Sequence, residues 1–379
     1  MKILALMNSY TQGLSGGDVR FMEIMKRMEN IDLTIITSSL GKEICEKKGV
    51  NAKYIITTNE KTFENLLLTY SKRIVQAFKF GIKIEDYDIL YSSSDFLPDV
   101  FPAFFWKLKN KNIKWVSVTH HLYKNPFKRK GNSFLNNLFG LFSQRLGFSL
   151  IKANSDIIIT VSFFVKNELV NIGFSESKIK INPPGIDIKK INSFKQAKKG
   201  YDCVFLGRLN ISKGIFDLVK IWKIIIKENS GITLVIIGGG NPQLEVQLKN
   251  KIRENELEKN IDVLGYLEDE KVFGIIKSSK IFLLPSHEEG FGISIVEAMG
   301  LGKPCIVWNL PIYDSIFKNS LIKIQEGDNE SYAKKILHLL KNRSIRNKFS
   351  KEAKKEAKRY DWDKIVKTEI KLLRGLKYG

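Results

Sequence analysis

Glu289 and Glu297 bracket a glycine-rich loop and the start of a helix in the stretch 280–308, KIFLLPSHEEGFGISIVEAMGLGKPCIVW. Gly290 and Gly292 let a ligand come close to the backbone. The N–H groups at the helix start, around Phe291, Gly292 and Ile293, lack intrahelical partners and attract phosphate. The two carboxylates would repel a bare phosphate, but they accept hydrogen bonds from sugar hydroxyls. Together these groups suit a ligand that is anionic at one end and rich in hydroxyls at the other, which is the shape of a nucleotide-sugar.

Two cations complete the set. In 201–214, YDCVFLGRLNISKG, a strand ends at Gly207-Arg208 and Lys213-Gly214 leads into a helix. Arg208 and Lys213 flank a strand-end loop and can grip a diphosphate from two sides, the guanidinium bidentately and the ammonium as a point charge. His120 and His121 end another strand, Trp115 to Thr119. A histidine there can orient a hydroxyl or share its proton near neutral pH; the sequence leaves open which of the two points inward, with His120 favoured.

The elements that must hold these groups read as alternating strands and helices. Apolar runs fall at Lys2 to Asn8, Leu33 to Thr37, Tyr54 to Thr57, Ile89 to Ser92, Trp115 to Thr119 and Ile157 to Ser162, with helix-like segments between. This pattern predicts a parallel sheet covered on both faces. The first strand runs into a loop, Ser9 to Asp18, holding Gly13, Gly16 and Gly17. It is neither a Gly-x-Gly-x-x-Gly fingerprint nor a Walker sequence, so dinucleotide and ATPase readings lose support. Buried strands recur at Gly231 to Gly240 and Ile261 to Tyr266, and a lysine-rich stretch, Lys189 to Gly200, is a reasonable domain boundary. Asp86-Tyr87-Asp88 matches an Asp-x-Asp metal pattern, but a two-residue match is weak and a cap or turn role before the next strand explains it better.

The string PSHEEGFGISIVEAMGLGKPCIV resembles the Glu-x7-Glu motif of the retaining glycosyltransferases of family four, and Gly-Arg-Leu…Lys-Gly at 207–214 resembles their phosphate-gripping motif. The resemblance implies the GT-B fold: α/β, two Rossmann-like domains facing across a cleft. It places an N-terminal acceptor-side domain over 1–190 and a donor domain over 200–360, with a last helix, 361–379, crossing back. It implies sugar transfer from a nucleotide-sugar, UDP- or GDP-linked, with retention of configuration. Arg208 and Lys213 would hold the diphosphate, the backbone at Phe291 to Ile293 phosphate and sugar, Glu289 the sugar hydroxyls, Glu297 the ribose, and His120 the acceptor side. Gly16 and Gly17 would lie near the diphosphate, and Gly265, Tyr266 and Leu267 beside the base. Beyond the glutamates the match falters: 308–317 reads WNLPIYDSIF, where Asp314 stands in place of the family's later Glu. No metal is required on this reading, because cationic side chains replace it.

The chain has 379 residues, 43% of them hydrophobic, enough for two domains of ordinary size, and carries a net charge of +22. Three cysteines, far apart, argue for a reducing compartment and against a disulfide framework or zinc site. The start reads as a first strand rather than a signal peptide, and no apolar stretch approaches a membrane span. Between Val100 and Ser155 there is no Asp or Glu, yet the stretch holds ten basic residues and many aromatics, Phe101, Phe105, Phe127 and Phe142 among them. In the helix-like segment Asn132 to Lys152, the stripe Phe134, Leu138, Phe142 and Leu146 is expected to dock on the sheet. Cations beside exposed aromatics suit an anionic lipid surface. The expectation is therefore a peripheral enzyme on the cytoplasmic membrane face acting on a lipid-linked acceptor or surface-glycan precursor. The alternatives are a GT-B enzyme with a soluble sugar acceptor, of the sucrose or glycogen synthase type, a binding subunit without catalysis, and a basic nucleic-acid-binding protein. The last leaves the carboxylates of the glycine loop unexplained.

Overall fold

The protein is described by a computed structural model over residues 1–10, 14–59, 66–123 and 134–378. Gly13, Lys124, Phe127, Lys128, Arg129, Lys130 and the first two residues of the predicted helix Asn132 to Lys152 lie outside the described residues. The chain falls into two compact units, Met1–Pro184 with Trp362–Gly379, and Gly185–Asp361. The first contains β1 (Lys2–Met7), α1 (Gly16–Arg27), β2 (Asp32–Thr37), α2 (Ser39–Lys47), β3 (Lys53–Ile56), α3 (Leu66–Ala77), β4 (Ile89–Ser92), α4 (Leu97–Lys109), β5 (Lys114–Thr119), α5 (Phe134–Asn154), β6 (Ile157–Thr160), α6 (Phe163–Asn171) and β7 (Ile179–Ile181). The second contains α7 (Ile188–Ser193), β8 (Cys203–Leu206), α8 (Ile215–Glu228), β9 (Leu234–Ile237), α9 (Pro242–Glu254), β10 (Ile261–Gly265), α10 (Asp269–Ser278), β11 (Ile281–Leu284), α11 (Ile293–Gly300), β12 (Cys305–Trp308), α12 (Pro311–Phe317), β13 (Ile322–Ile324), α13 (Asn329–Lys341) and α14 (Arg343–Ala357). The last helix, α15 (Trp362–Tyr378), belongs to the first unit.

In the first unit the described strands pair in the order β3-β2-β1-β4-β5-β6-β7, all parallel. Their Val- and Ile-rich runs are buried because both faces of the sheet are covered. The chain moves outward from β1 to β3, then returns and proceeds to β7. Right-handed crossovers therefore place α1 and α2 on one face and α3 to α6 on the other. On the first face Phe21, Ile24 and Met25 of α1 share a core with Ile3, Ile35 and Val116 and with Trp362, Ile365 and Leu373 of α15.

A buried polar network fixes that last helix. Arg20 Nη2 lies 2.6 Å from Glu369 Oε2, both side chains being almost fully buried. Glu369 also accepts from Tyr91 OH at 2.6 Å and from Asn182 Nδ2 at 2.5 Å. At the strands' opposite end, Asp88 accepts from the Lys2 backbone N–H at 2.7 Å and from Lys377 Nζ at 2.9 Å. Of Asp86-Tyr87-Asp88, it is Asp88 that thus ties β1 to α15, a structural role of the kind its position before a strand allowed.

Of the stripe expected to dock α5 on the sheet, the Phe134 side chain lies outside the described residues and the other three do the opposite. Leu138 is 46%, Phe142 59% and Leu146 39% exposed. The buried face carries Asn137, Ser143, Gln144, Phe148 and Ile151. Apolar residues occur all round this helix, so periodicity does not single out a face. Glycines decide instead: a Cβ at Gly147 would lie 2.3 Å from the Asp95 carbonyl oxygen and one at Gly140 2.7 Å from the Tyr123 ring. The side of the helix with no side chains at those positions approaches most closely.

In the second unit the order is β10-β9-β8-β11-β12-β13, again parallel. Trp222, Phe205, Phe282 and Trp308 are fully buried in it. The segment assigned by composition to a boundary, Lys189 to Gly200, lies in this unit and includes most of α7, whose Asp187 side chain accepts from the Lys190 N–H. Each sheet reverses its strand order once, between β1 and β4 and between β8 and β11. Ligands of open parallel sheets bind at such reversals, beyond the carboxyl ends of the strands.

Candidate active site

The reversal in the second unit carries the cations and the glutamate loop. β8 runs into Gly207 and Arg208, and β11, its neighbour, into Pro285 and the loop to Gly292. Gly214 adopts φ +71°, and a Cβ there would meet the Pro285 carbonyl oxygen at 1.9 Å. Only glycine permits this approach, which brings the turn before α8 against the end of β11. The His287 N–H donates to the Ser212 carbonyl at 2.8 Å across the same seam. Lys213 Nζ then reaches Glu289 Oε1 at 2.7 Å, and Ser286 Oγ donates to the same oxygen at 2.8 Å. Arg208 is exposed at the end of β8.

The base-side positions come from the next strands. Gly238, after β9, has φ +144°, and a Cβ there would lie 1.8 Å from the Gly207 carbonyl oxygen. Its N–H donates to the Gly265 carbonyl at 2.8 Å. Gly265 ends β10 at φ +66°. Tyr266 follows, 65% exposed, with Leu267 half-buried beyond it. The carboxyl ends of β10, β9, β8 and β11 therefore present, side by side, Gly265 to Leu267, Gly238 to Gly240, Arg208 with Lys213, and the Glu289 loop. Strands lie about 4.8 Å apart, so this row spans about 14 Å.

Gly292 opens α11 from the left-handed region, φ +95°. The Phe291 side chain is buried against Phe317 and Tyr360, with ring centroids at 5.8 and 5.3 Å. Its ring is an anchor that leaves the backbone of 291–293 at the helix start. Glu297 sits half-buried on α11.

His287 lies in the same loop, four residues before Phe291. Its Nε2 lies 2.7 Å from Asp217 Oδ2, on the first turn of α8, and its Nδ1 2.6 Å from Glu326 Oε1. The Asp217 hydrogen bond, aided by Glu326 and opposed by partial burial, raises the His287 pKa above the ordinary value. The His287 ring thus staples the glutamate loop to two other elements. Asp217 and Glu326 are far away in sequence, and nothing local marks them.

In the first unit the reversal holds Gly16, Gly17 and His120. Ser15 caps α1: its Oγ accepts from the Asp18 N–H at 3.2 Å while Asp18 Oδ2 accepts from the Ser15 N–H at 2.8 Å. A Cβ at Gly17 would sit 2.7 Å from His120 Nε2, so the ring lies against the glycine backbone. His120 Nε2 is 3.2 Å from the Ser93 carbonyl oxygen, which can only accept. Nε2 therefore carries the proton and Nδ1 is left as an acceptor. Burial, reinforced by the Arg20 guanidinium, pushes the ring pKa down to about 3. His120 is neutral at pH 7 and suits orienting a hydroxyl, not titrating near neutrality. The His121 ring stacks on Tyr123 instead, with centroids 5.8 Å apart.

Buried carboxylates unmarked in the sequence stand behind this edge. Asp99 accepts from the N–H groups of Asn8 and Ser9 at 2.6 and 2.9 Å and from Ser94 Oγ at 2.6 Å, tying the end of β1 to that of β4. Asp95 accepts from Gln144 Nε2 at 3.3 Å, and burial lifts its pKa to about 7. Among the described residues no group of three or more His, Cys, Asp or Glu side chains is arranged to hold a metal ion, and no helix is long and apolar enough to cross a membrane.

Comparison with known proteins places this geometry. Residues 187–356 match the family described as glycosyl transferases group 1, and residues 16–190 match glycosyltransferase family 4. A protein of Methanocaldococcus jannaschii described as an uncharacterized glycosyltransferase is 25% identical over 375 residues, 97% of this chain and 96% of that one. A capsular polysaccharide biosynthesis glycosyltransferase of Staphylococcus aureus is 24% identical over 221 residues, 56% of this chain and 57% of its own length. The crystal structure of HepE from Anabaena, in complex with UDP and glucose, superposes with a TM-score of 0.77 at 17% identity, covering 99% of this chain and 100% of that one. With both of its halves matched, the chain belongs to the family-4-type glycosyltransferases, two-domain α/β enzymes of the GT-B fold.

Proposed function

We propose that this enzyme transfers a sugar from a UDP- or GDP-sugar to a lipid-linked acceptor or surface-glycan precursor, with retention of anomeric configuration, as a peripheral protein on the inner face of the cell membrane. One observation carries the donor assignment: the order of strand ends in the second unit. Glycine backbone and an exposed tyrosine stand at β10, two cations at β8 and a carboxylate loop at β11, the order of base, diphosphate and sugar along a nucleotide-sugar. HepE, of the same fold, binds UDP and glucose, and the Staphylococcus relative serves capsule synthesis; both support the reading.

In this reading Arg208 and Lys213 stabilise the charge that develops on the diphosphate as the bond from anomeric carbon to phosphate oxygen breaks. The backbone at Phe291 to Ile293 holds phosphate and sugar. Glu289 accepts from donor sugar hydroxyls, its orientation fixed by Lys213 and Ser286. Glu297 takes the ribose, Gly265 to Leu267 flank the base, and Gly16 and Gly17 lie near the diphosphate. His120, neutral, offers Nδ1 to a hydroxyl on the acceptor side. The electron pair leaves with the phosphate, the acceptor oxygen bonds to the anomeric carbon on the same face, and its proton passes to the departing phosphate oxygen. A double-displacement route would need a carboxylate on the opposite face of the sugar. No metal ion enters these steps.

A thermal-shift screen across UDP-, GDP- and ADP-sugars tests the donor assignment, since a specific ligand raises stability by mass action. A stabilising UDP- or GDP-sugar is expected; no response to any of them rejects the site. NMR of the product then reads the anomeric configuration, and inversion rejects the mechanism.

A further inference from the structure

Three neighbouring helices of the first unit carry one carboxylate between them, and it is hidden. α3, α4 and α5 lie on the same face of the sheet, and the only acid in their sequences is Asp99, which is fully buried. Every exposed ionisable side chain on them is a cation: Lys72, Lys109, Arg145 and Lys152. Their outward faces are also apolar. α5 exposes Leu138, Phe142 and Leu146, and α4 exposes Phe101, Phe105 and Leu108 at the matching helical spacing. α3 adds Leu67, Leu68 and Val75. The helices abut: Phe78, just after α3, packs edge-on against Phe101 and Phe105, and Ser143 of α5 accepts from the Leu97 N–H of α4 at 3.2 Å. The exposed acids nearby in sequence, Glu85 and Asp86, precede β4 at the far end of the sheet.

We propose that the outward faces of α3, α4 and α5 form a docking surface for an anionic lipid bilayer, with Phe101, Phe105, Phe142 and Leu146 entering the interfacial layer. The inference rests on the membrane clause of the proposed function and names the surface responsible. Soluble monomers rarely expose so many large apolar side chains on adjacent helices. Without the cations such a face would suit a protein partner of any charge; an acid-free, cationic and apolar face matches anionic headgroups over acyl chains. The placement fits a lipid-linked acceptor. Midway along α5, Gln144 donates to the His121 carbonyl at 2.8 Å and accepts from the Tyr123 N–H at 2.7 Å. The apolar stripe, with Phe142 and Leu146 on either side of Gln144, therefore lies on the helix that holds His121 and Tyr123, the residues just after His120.

Sedimentation with vesicles of phosphatidylcholine alone, or mixed with phosphatidylglycerol, tests this at low salt. Wild type is expected to bind the mixed vesicles and not the neutral ones. Lys109→Ala with Arg145→Ala is expected to weaken binding on the order of thirty-fold, and Phe142→Ser with Leu146→Ser by about tenfold or more. Val246→Ser, at an exposed position of the second unit, serves as the control and is expected to bind like wild type. Equal binding to both vesicle types overturns the proposal, as does a cation variant that binds like wild type. So does a wild-type dimer, indifferent to vesicles, that Phe142→Ser with Leu146→Ser converts to monomer; the occupant would then be a second copy. A nucleotide-sugar shift without vesicle binding removes the surface and leaves the enzyme reading. Vesicle binding without any such shift supports the surface and counts against that reading.

Discussion

Lys213 and Glu289 meet at 2.7 Å, with only 17% and 9% of their side chains open to solvent. One residue is expected to face the diphosphate and the other the sugar, so the pair links the two ends of the donor. Lys213→Ala should lower kcat/KM by about 10²–10³-fold, as loss of a preorganised electrostatic group does. It also leaves Glu289 without its counter-ion, so a fall in Tm should accompany the kinetic loss. Steady-state kinetics with calorimetry measures both; an active, equally stable variant contradicts the assignment.

Arg208 offers the contrasting case. It is exposed, so Arg208→Lys should change stability by no more than about 0.5 kcal/mol. The ammonium cannot reproduce a bidentate grip. Turnover should fall about a hundredfold with the thermal midpoint unchanged, and comparison of the two measurements decides it.

His287 gives the loop a pH dependence. Its folded-state pKa is raised above the ordinary 6.5, so the ring binds its proton more tightly in the folded protein than in the unfolded chain. That contribution is complete below about pH 6.5 and is lost as pH rises through the folded value. Wild type should exceed His287→Gln in unfolding free energy by more at pH 6 than at pH 9. Urea titrations at the two values measure the difference, and a gap that widens with pH contradicts the staple.

Glu369→Ala should destabilise the first unit by about 3–5 kcal/mol, because Arg20 is left buried without its carboxylate. Hydrogen exchange along α15 should rise sharply, while the amides of the second unit keep their protection.

Gly17→Ala tests the neighbour of His120. The new methyl carbon would lie 2.7 Å from Nε2, and the ring must move. Activity should fall by about a hundredfold, the scale of an ångström-sized misplacement. His120→Asn, which keeps a side-chain acceptor, should retain more activity than His120→Ala.

The parts legible in the sequence are those set by neighbours in the chain. β4 occupies Ile89–Ser92, the limits its apolar run suggested, and Gly207-Arg208 and the Glu289 loop follow strands as their local patterns required. What escaped depends on distant chain. Nothing near His287 announces Asp217 or Glu326, and nothing near Asp95 announces Gln144. The outward turn of Leu138, Phe142 and Leu146 was hidden because close approach at Gly140 and Gly147, not apolar periodicity, selects the docking face of α5. The choice of His120 over His121 likewise depends on which ring meets Gly17, a contact between residues of β5's end and α1's start.

The first unit is discontinuous, and this orders events at the ribosome. Until residue 369 has emerged, Arg20 and Tyr91 have no carboxylate to receive them, and the sheet's α1 face stays partly uncovered. The second unit is one unbroken stretch and needs nothing beyond Asp361. During synthesis the second unit can therefore finish first, while the earlier-made unit waits, incomplete, for α15.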